Sequence, residues 1–409
     1  MTSSSVDRSQ RDVQAWPGLT TPPRAPARAR IAELLFRRAV RPLDVRVSLP
    51  GGSRLGAGGP GAPELRLLRP AAFFHRLGAD GKIGFGEAYM AGDWTSDALA
   101  EVLTPFAERT AVLIPPALQR FRGFVDRGHP QAERNTVDGA RANIHRHYDL
   151  SNELFGLFLD ETMTYSSALF GPGDDLAAAQ VRKIDNVLDY AGVRAGSRVL
   201  EIGTGWGELA VRAARRGAEV TSLTLSEEQR TLATKRIAEA GLAERIDVRL
   251  LDYRQAEGTY DAVVSVEMIE AVGADYWPEF FGTVGRLLRS GGRFGLQAIT
   301  MRHDRMLAAA SSYTWVHKYI FPGGLIPSVE SVRHGIAHNT TLRQHAQLEF
   351  GQDYARTLEQ WRERFRHRRA EVAELGFDDV FRRMWDFYLA YSEAGFRSGY
   401  LKVHQFSFG

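Results

Sequence analysis

One run of residues in this 409-residue chain has the types and spacing to hold a small charged ligand: Glu201-Ile202-Gly203-Thr204-Gly205-Trp206-Gly207. An acid leads directly into three glycines spaced one residue apart. Glycines so placed let backbone N–H groups approach a ligand closely. The spacing is not the G-x-G-x-x-G dinucleotide fingerprint, whose third glycine falls one residue later. A carboxylate at Glu201 repels a pyrophosphate and pairs with an ammonium group. That favours S-adenosylmethionine over NAD. About twenty residues on, Thr224-Leu225-Ser226 stands where a ribose-binding acid is usually found. Further along, Asp252-Tyr253 offers an acid and an aromatic ring suited to an adenine. Cysteine is absent, so thiolate nucleophiles, disulfides and Cys-ligated metals are excluded, and no metal site is expected.

These residues need strand ends to position them. Buried runs at 198–202, 219–224, 246–250, 261–266 and 293–299 read as strands, with helical stretches such as 208–216 and 226–241 between them. Strands alternating with helices predict a parallel α/β sheet with its ligand at the strand C-termini. Residues 1–27 are rich in Ser, Pro, Arg and Ala and predict a disordered tail. Residues 29–40 predict a helix with Ile31, Leu34, Leu35 and Ala39 on its apolar face and arginines opposite. Two alternating runs around a Gly/Pro region, then turns and short helices, complete an α+β module over 28–125. Residues 126–136 read as a polar linker and 137–409 as the catalytic domain.

With 44% hydrophobic and 25% charged residues the composition is that of a globular protein. No apolar run reaches about 18 residues, so no transmembrane helix is expected. The N-terminus lacks an apolar signal region, and a cytoplasmic location is expected. Of 52 basic residues only five are lysine. Arginines cluster in 28–42 and 361–371, where they could meet phosphate head groups or line a solvated helix face.

Seven motifs in order carry a resemblance: "HYDLSNELFGLFLDETMTYSSALF" (147–170), "VLEIGTGWGELA" (199–210), "LTLSEEQ" (223–229), "LLDYR" (250–254), "VSVEMIEAVG" (264–273), "KYIFPGGLIPS" (318–328) and "GFRSGYL" (395–401). The chain resembles the cyclopropane-fatty-acyl-phospholipid synthase family, on its actinobacterial branch near the fatty-acid 10-methylene synthases. "IGFGEAYMAGDW" (83–94) resembles the accessory domain of full-length members. The resemblance implies a Rossmann-like S-adenosylmethionine-dependent methyltransferase with a mostly parallel seven-stranded sheet and a small N-terminal α+β domain. It also implies methyl transfer to a cis alkene in an acyl chain. Attack by the π bond on a sulfonium methyl leaves a carbocation, which needs an enclosed, water-free pocket and then a base.

For that base the resemblance implies a bicarbonate ion held at Ser167, Glu270, Gln297, Ile299 and Tyr354, with Glu270 as its holder or its substitute. Ser167 stands where most members have cysteine, and Gln297 where cyclopropane-forming bacterial members commonly have histidine. By the same resemblance Tyr165 and Ser166 close over the methionine part of the cofactor. Glu201, Gly203, Thr204, Gly205, Trp206 and Gly207 form the loop, Thr224, Leu225 and Gln229 lie near the ribose, and Asp252, Tyr253 and Arg254 flank the adenine. His147 and Tyr148 are secondary site candidates. Tyr319 and Phe321, in an insert over about 301–340, line the acyl cavity.

The expected substrate is an oleoyl-type chain of a membrane phospholipid, reached by peripheral docking at the inner membrane face. The arginines near 28–41 and 361–369 are the docking candidates. The resemblance implies a homodimer, and a separate reductase acting on the product. The expected product is a 10-methylene chain; a cyclopropane ring is the alternative. A small-molecule or nucleic-acid methyltransferase of the same fold is a more distant one, and the acid in "VEMIEAVG" speaks against an RNA-binding groove.

Overall fold

The computed structural model describes residues 16, 18–109, 136, 139 and 151–409. The chain forms two compact units, residues 1–127 with 365–398 and residues 128–364 with 399–409.

In the N-terminal unit, short strands β1 (Arg46–Ser48), β2 (Arg54–Leu55), β3 (Glu64–Leu67) and β4 (Trp94–Thr95) form a sheet in the order β2-β1-β3-β4. The helix Pro70–Met90 bends at Asp80–Gly81. The helix Asp379–Arg397 joins this unit: Tyr89 packs on Phe387 with ring centroids 5.4 Å apart, and its hydroxyl donates to Asp386 at 2.8 Å. The catalytic unit therefore does not hold all of 137–409, as the sequence predicts.

Two further expectations change here. Arg76, buried and paired with Asp93, donates to the carbonyls of Gly18 and Leu19, and Leu19 is buried. Residues 18–27 are thus part of the fold; 1–15 and 17 lie outside the described residues. The helix Pro26–Val40 forms where predicted but buries Ala29, Ala32, Phe36 and Val40. Ile31 (58% exposed) and Leu34 (72%) face outward. Apolar residues occupy both faces, and Phe36 wins the core by packing edge-on against Phe73 and Phe74.

The catalytic unit holds a seven-stranded sheet in the order β10-β11-β9-β8-β5-β6-β7. Strands β5 (Arg198–Ile202), β6 (Glu219–Thr224), β7 (Ile246–Leu250), β8 (Tyr260–Val266) and β9 (Leu288–Met301) run parallel. Strands β10 (Gln344–Glu349) and β11 (Leu401–Phe408) complete it antiparallel. The Rossmann-like fold is as expected. Its strand order reverses direction between β5 and β8, where a crevice opens at the strand C-termini. The insert over 301–340 contains helices His303–Ala309, Trp315–Tyr319 and Val329–Asn339.

Candidate active site

The register of β5 and β6 sets Glu201 opposite Ser222. The Ser222 hydroxyl donates to Glu201 at 2.5 Å and lies 2.7 Å from Thr204 Oγ1. Burial pushes the Glu201 carboxyl up to about 8, against the Ser222 bond. The loop beyond it turns on left-handed glycines. At Gly203 (φ +102°) an added Cβ would lie 2.5 Å from Met268 Cγ. At Gly205 (φ +52°) it would meet nothing within 4 Å, so a side chain there would project into open space beside the loop. These residues fit S-adenosylmethionine: Glu201 would meet its ammonium group, and the open space at Gly205 would leave room for it.

The surrounding residues divide into contacts and supports. Gly207 caps the helix Glu208–Arg215. Trp206 is buried, donates to Asn152 at 2.7 Å and packs on Phe155. Thr224 donates to Gln229 at 2.8 Å and Leu225 stays half-buried at the turn. Asp252 accepts three bonds from Arg254, from its backbone N–H, Nε and Nη2. Arg254 in turn lies over the Tyr253 ring. Asp252 is thus engaged in fixing Arg254, and Tyr253 packs into the core against Phe280.

The second half of the site gathers where β8 and β9 end. Segment 162–170 is held by two helices. Gln180, on Leu176–Tyr190, donates to the carbonyl of Ser166, and the Lys183 ammonium lies 2.5 Å from Ser166 Oγ. On Gly351–His367, Thr357 accepts from the N–H of Ala168 and Asp353 from that of Phe170. Tyr165 lies among Phe155, Phe158 and Trp361, with centroids 5.1, 6.3 and 5.3 Å away.

Glu270 Oε1 accepts from the Ile299 N–H at 2.5 Å, while its buried Oε2 has no partner among the described residues. Burial and neighbouring Glu267 push its carboxyl up to about 8. The Glu270 carbonyl accepts from Leu325, so the insert closes on this helix. Phe321 and Tyr319 are half-buried just before, with Tyr319 packed on Trp315. His147 and Tyr148 lie outside the described residues.

The sequence reading missed two residues here, Glu267 and Lys183. Glu267 is half-buried and has φ +51°, a conformation costing a non-glycine residue about 1–2 kcal/mol. Its carboxylate accepts from the Ser167 N–H (3.0 Å), Gln297 Nε2 (2.8 Å) and the Tyr354 hydroxyl (3.0 Å). Gln297 is oriented by its neighbour across β9–β11: Gln405 donates to its carbonyl at 2.8 Å, and Asn186 donates to Gln405. Burial raises the Glu267 carboxyl, opposed by Lys183 and its three donors. Lys183 is itself buried and pulled down to about 8. The one signal in the sequence was a second acid three residues before Glu270.

A family model, "Mycolic acid cyclopropane synthetase", matches residues 136–406. The chain belongs to this family. It is 51% identical to the tuberculostearic acid methyltransferase UfaA1 of Mycobacterium tuberculosis, over 99% of this chain and 97% of that one. It is 32% identical to the cyclopropane-fatty-acyl-phospholipid synthase of Escherichia coli, over 86% of this chain and 88% of the other. Among solved structures it is similar to the mycolic acid cyclopropane synthase CmaA1 complexed with SAH and CTAB, with a TM-score of 0.61 and 30% identity over 66% of this chain and 97% of that one. Membership makes this chain an S-adenosylmethionine-dependent methyltransferase.

Proposed function

We propose that the chain methylates the cis double bond of an oleoyl-type acyl chain in a membrane phospholipid and leaves a 10-methylene product. The observation that carries this is the half-buried acid pair Glu267/Glu270, with Tyr354 bonded to Glu267, in a chain 51% identical to UfaA1 along nearly its whole length. When bound, S-adenosylmethionine supplies an electrophilic methyl group. The protein's part is to bind the ammonium at Glu201, exclude water with Tyr165, Phe155, Phe158 and Trp361, and hold carboxylates beside the cation that forms on the acyl chain.

The π pair of the alkene makes the new C–C bond as the C–S bond breaks towards sulfur. The neighbouring carbon is left cationic. A 1,2-hydride shift moves the charge to the methylated carbon, and loss of a methyl proton to a base gives a methylene branch on the chain. Loss of that proton without the shift closes a cyclopropane instead. Expression in a bacterial host rich in oleoyl phospholipids and lacking its own cyclopropane synthase separates these outcomes. The expected fatty acid gains one CH2 in mass and is consumed by ozonolysis; an ozone-resistant product sinks the methylene reading.

The bicarbonate implied by the resemblance does not fit these residues. Three of its expected donors already converge on Glu267, and Ile299 donates to Glu270. A further anion would be buried between two carboxyl groups.

The same reading includes docking at the inner face of the membrane, homodimerisation, and reduction of the product by a separate enzyme. No helix among the described residues is long and apolar enough to cross a membrane. Exposed Ile31 and Leu34 beside Arg28, Arg30 and Arg38 support peripheral docking by the helix Pro26–Val40, where Arg37 is paired with Glu33. The 361–369 arginines support it less: Arg366 pairs with Asp386, Arg368 with Glu371 and Arg369 with Asp379, Arg362 is buried and Arg364 is half-buried. Replacing Ile31 and Leu34 together by Asp is expected to lower co-sedimentation with anionic vesicles about tenfold, with turnover on detergent-dispersed lipid unchanged. Equal co-sedimentation would exclude this helix.

A further inference from the structure

The base in the reaction just described needs a lone pair, a defined position and an environment that holds it ionised until the proton arrives. Among the described residues, Glu267 has the lone pair and the position by geometry, and three donors together with Lys183 oppose the effect of burial on its carboxyl. Its Oε1 accepts two bonds, from the Ser167 N–H and Gln297 Nε2. Its Oε2 accepts one, from Tyr354, which leaves a second lone pair on that oxygen. Lys183, buried on the helix Leu176–Tyr190, lends positive charge from behind. Glu270 lies on the other side, held by Ile299, with its Oε2 unpartnered.

The arrangement is built rather than incidental. Gln297 reaches both Glu267 and the Ser167 carbonyl through one NH2 group, which requires an amide of fixed orientation. Gln405 fixes it by donating to the Gln297 side-chain oxygen, and Asn186 in turn donates to Gln405. The backbone at Glu267 adopts a conformation unfavourable for any residue but glycine, and this places the carboxylate among its donors.

We propose that Glu267 is the proton acceptor of this methyl transfer, its Oε2 taking the proton from the transferred methyl as the methylene forms, so that the protein's own carboxylate does the work of an exogenous bicarbonate. The C–H bonding pair becomes the new π bond and the proton ends on Glu267. It is passed to solvent after product release. The inference rests on the functional reading above, and concerns only which group accepts the proton.

The test uses the full-length protein, S-adenosylmethionine and oleoyl-phosphatidylglycerol vesicles in CO2-free buffer. Wild-type turnover should be unchanged, within about twofold, on adding bicarbonate. Glu267→Gly should fold well, because glycine accepts the left-handed backbone. It should lose at least about 100-fold in turnover while S-adenosylmethionine binding, read by calorimetry, stays within a few-fold. Bicarbonate should restore part of that loss by entering the space left by the side chain. Carbon-13 NMR of labelled bicarbonate should then show binding to Glu267→Gly and none to wild type. Glu267→Gln fills the space but cannot take the proton, and should be inactive and unrescued. Bicarbonate-dependent turnover or bicarbonate binding in wild type overturns the proposal, as does near-normal turnover of Glu267→Gln. A wild-type chain that transfers no methyl group to the lipid would instead overturn the functional reading itself, and a cyclopropane product would overturn only the choice of product.

Discussion

Glu270→Gln is expected to slow methyl transfer by about 100-fold or more while leaving the affinity for S-adenosylmethionine within about twofold. The substitution is nearly isosteric. The amide oxygen can still accept from the Ile299 N–H, and the Glu270 carbonyl still accepts from Leu325, so the helix and the insert keep their places. What disappears is the ability to hold negative charge in a buried site beside a developing carbocation, where fixed charge acts with little screening. With burial and Glu267 pushing its carboxyl up to about 8, Glu270 is largely protonated at neutral pH until a cation arrives. The arrival of positive charge ionises it. Single-turnover kinetics with calorimetry would check this. Unchanged turnover, or equal losses in binding and turnover, would remove Glu270 from the chemical step.

Glu201→Gln should weaken S-adenosylmethionine binding by about 10- to 100-fold, the worth of a charged hydrogen bond, with a smaller effect on turnover at saturation. Its pH signature is specific. In the folded chain the Glu201 carboxyl is raised from an ordinary 4.5 to about 8. Folding therefore favours its protonated form. The associated stability is fully present below about 4.5 and is lost as pH rises through about 8. A cationic ligand selects the ionised form, so wild-type binding should release a proton at neutral pH. Calorimetry in buffers of different ionisation enthalpy measures that proton, and Glu201→Gln should abolish it. The rise in melting temperature on adding cofactor should be larger at about pH 8.5 than at about pH 6 in wild type and nearly flat in the variant. A variant that still releases the proton would place the titrating group elsewhere.

The sequence made the ligand half of the site more legible than the acid half. Strand β5, buried along nearly its whole length, reads as a short apolar run, and edge strand β7 as an alternating one, so β5, β6 and β7 lie where the pattern put them, and Glu201 follows from its place before the glycines. Strand β11 was not legible because its interior carries His404, Gln405 and Ser407, buried polar residues that a hydrophobic pattern rejects. Gln405 is there to orient Gln297. Edge strand β10, "QHAQLE", is polar by exposure. Glu267 was hidden for a different reason: its role depends on a backbone angle and on three donors, two of them more than 80 residues away, and no local spacing encodes either. Asp252 shows what position alone leaves unsaid, since an acid at a strand end also anchors an arginine.

Neither unit is a continuous stretch of chain. The N-terminal unit takes in residues 365–398, and the catalytic sheet receives β11 between β9 and β10 from residues 401–408. During synthesis, domains usually fold in turn as they emerge. Here the first unit must wait for a helix made after most of the second has been translated, and the second must wait for its own interior strand. Both are complete only once residues 379–408 have been made. Until then the Gln297 amide has no Gln405 to set it, so the acid site takes its final form only after β11 has paired with β9.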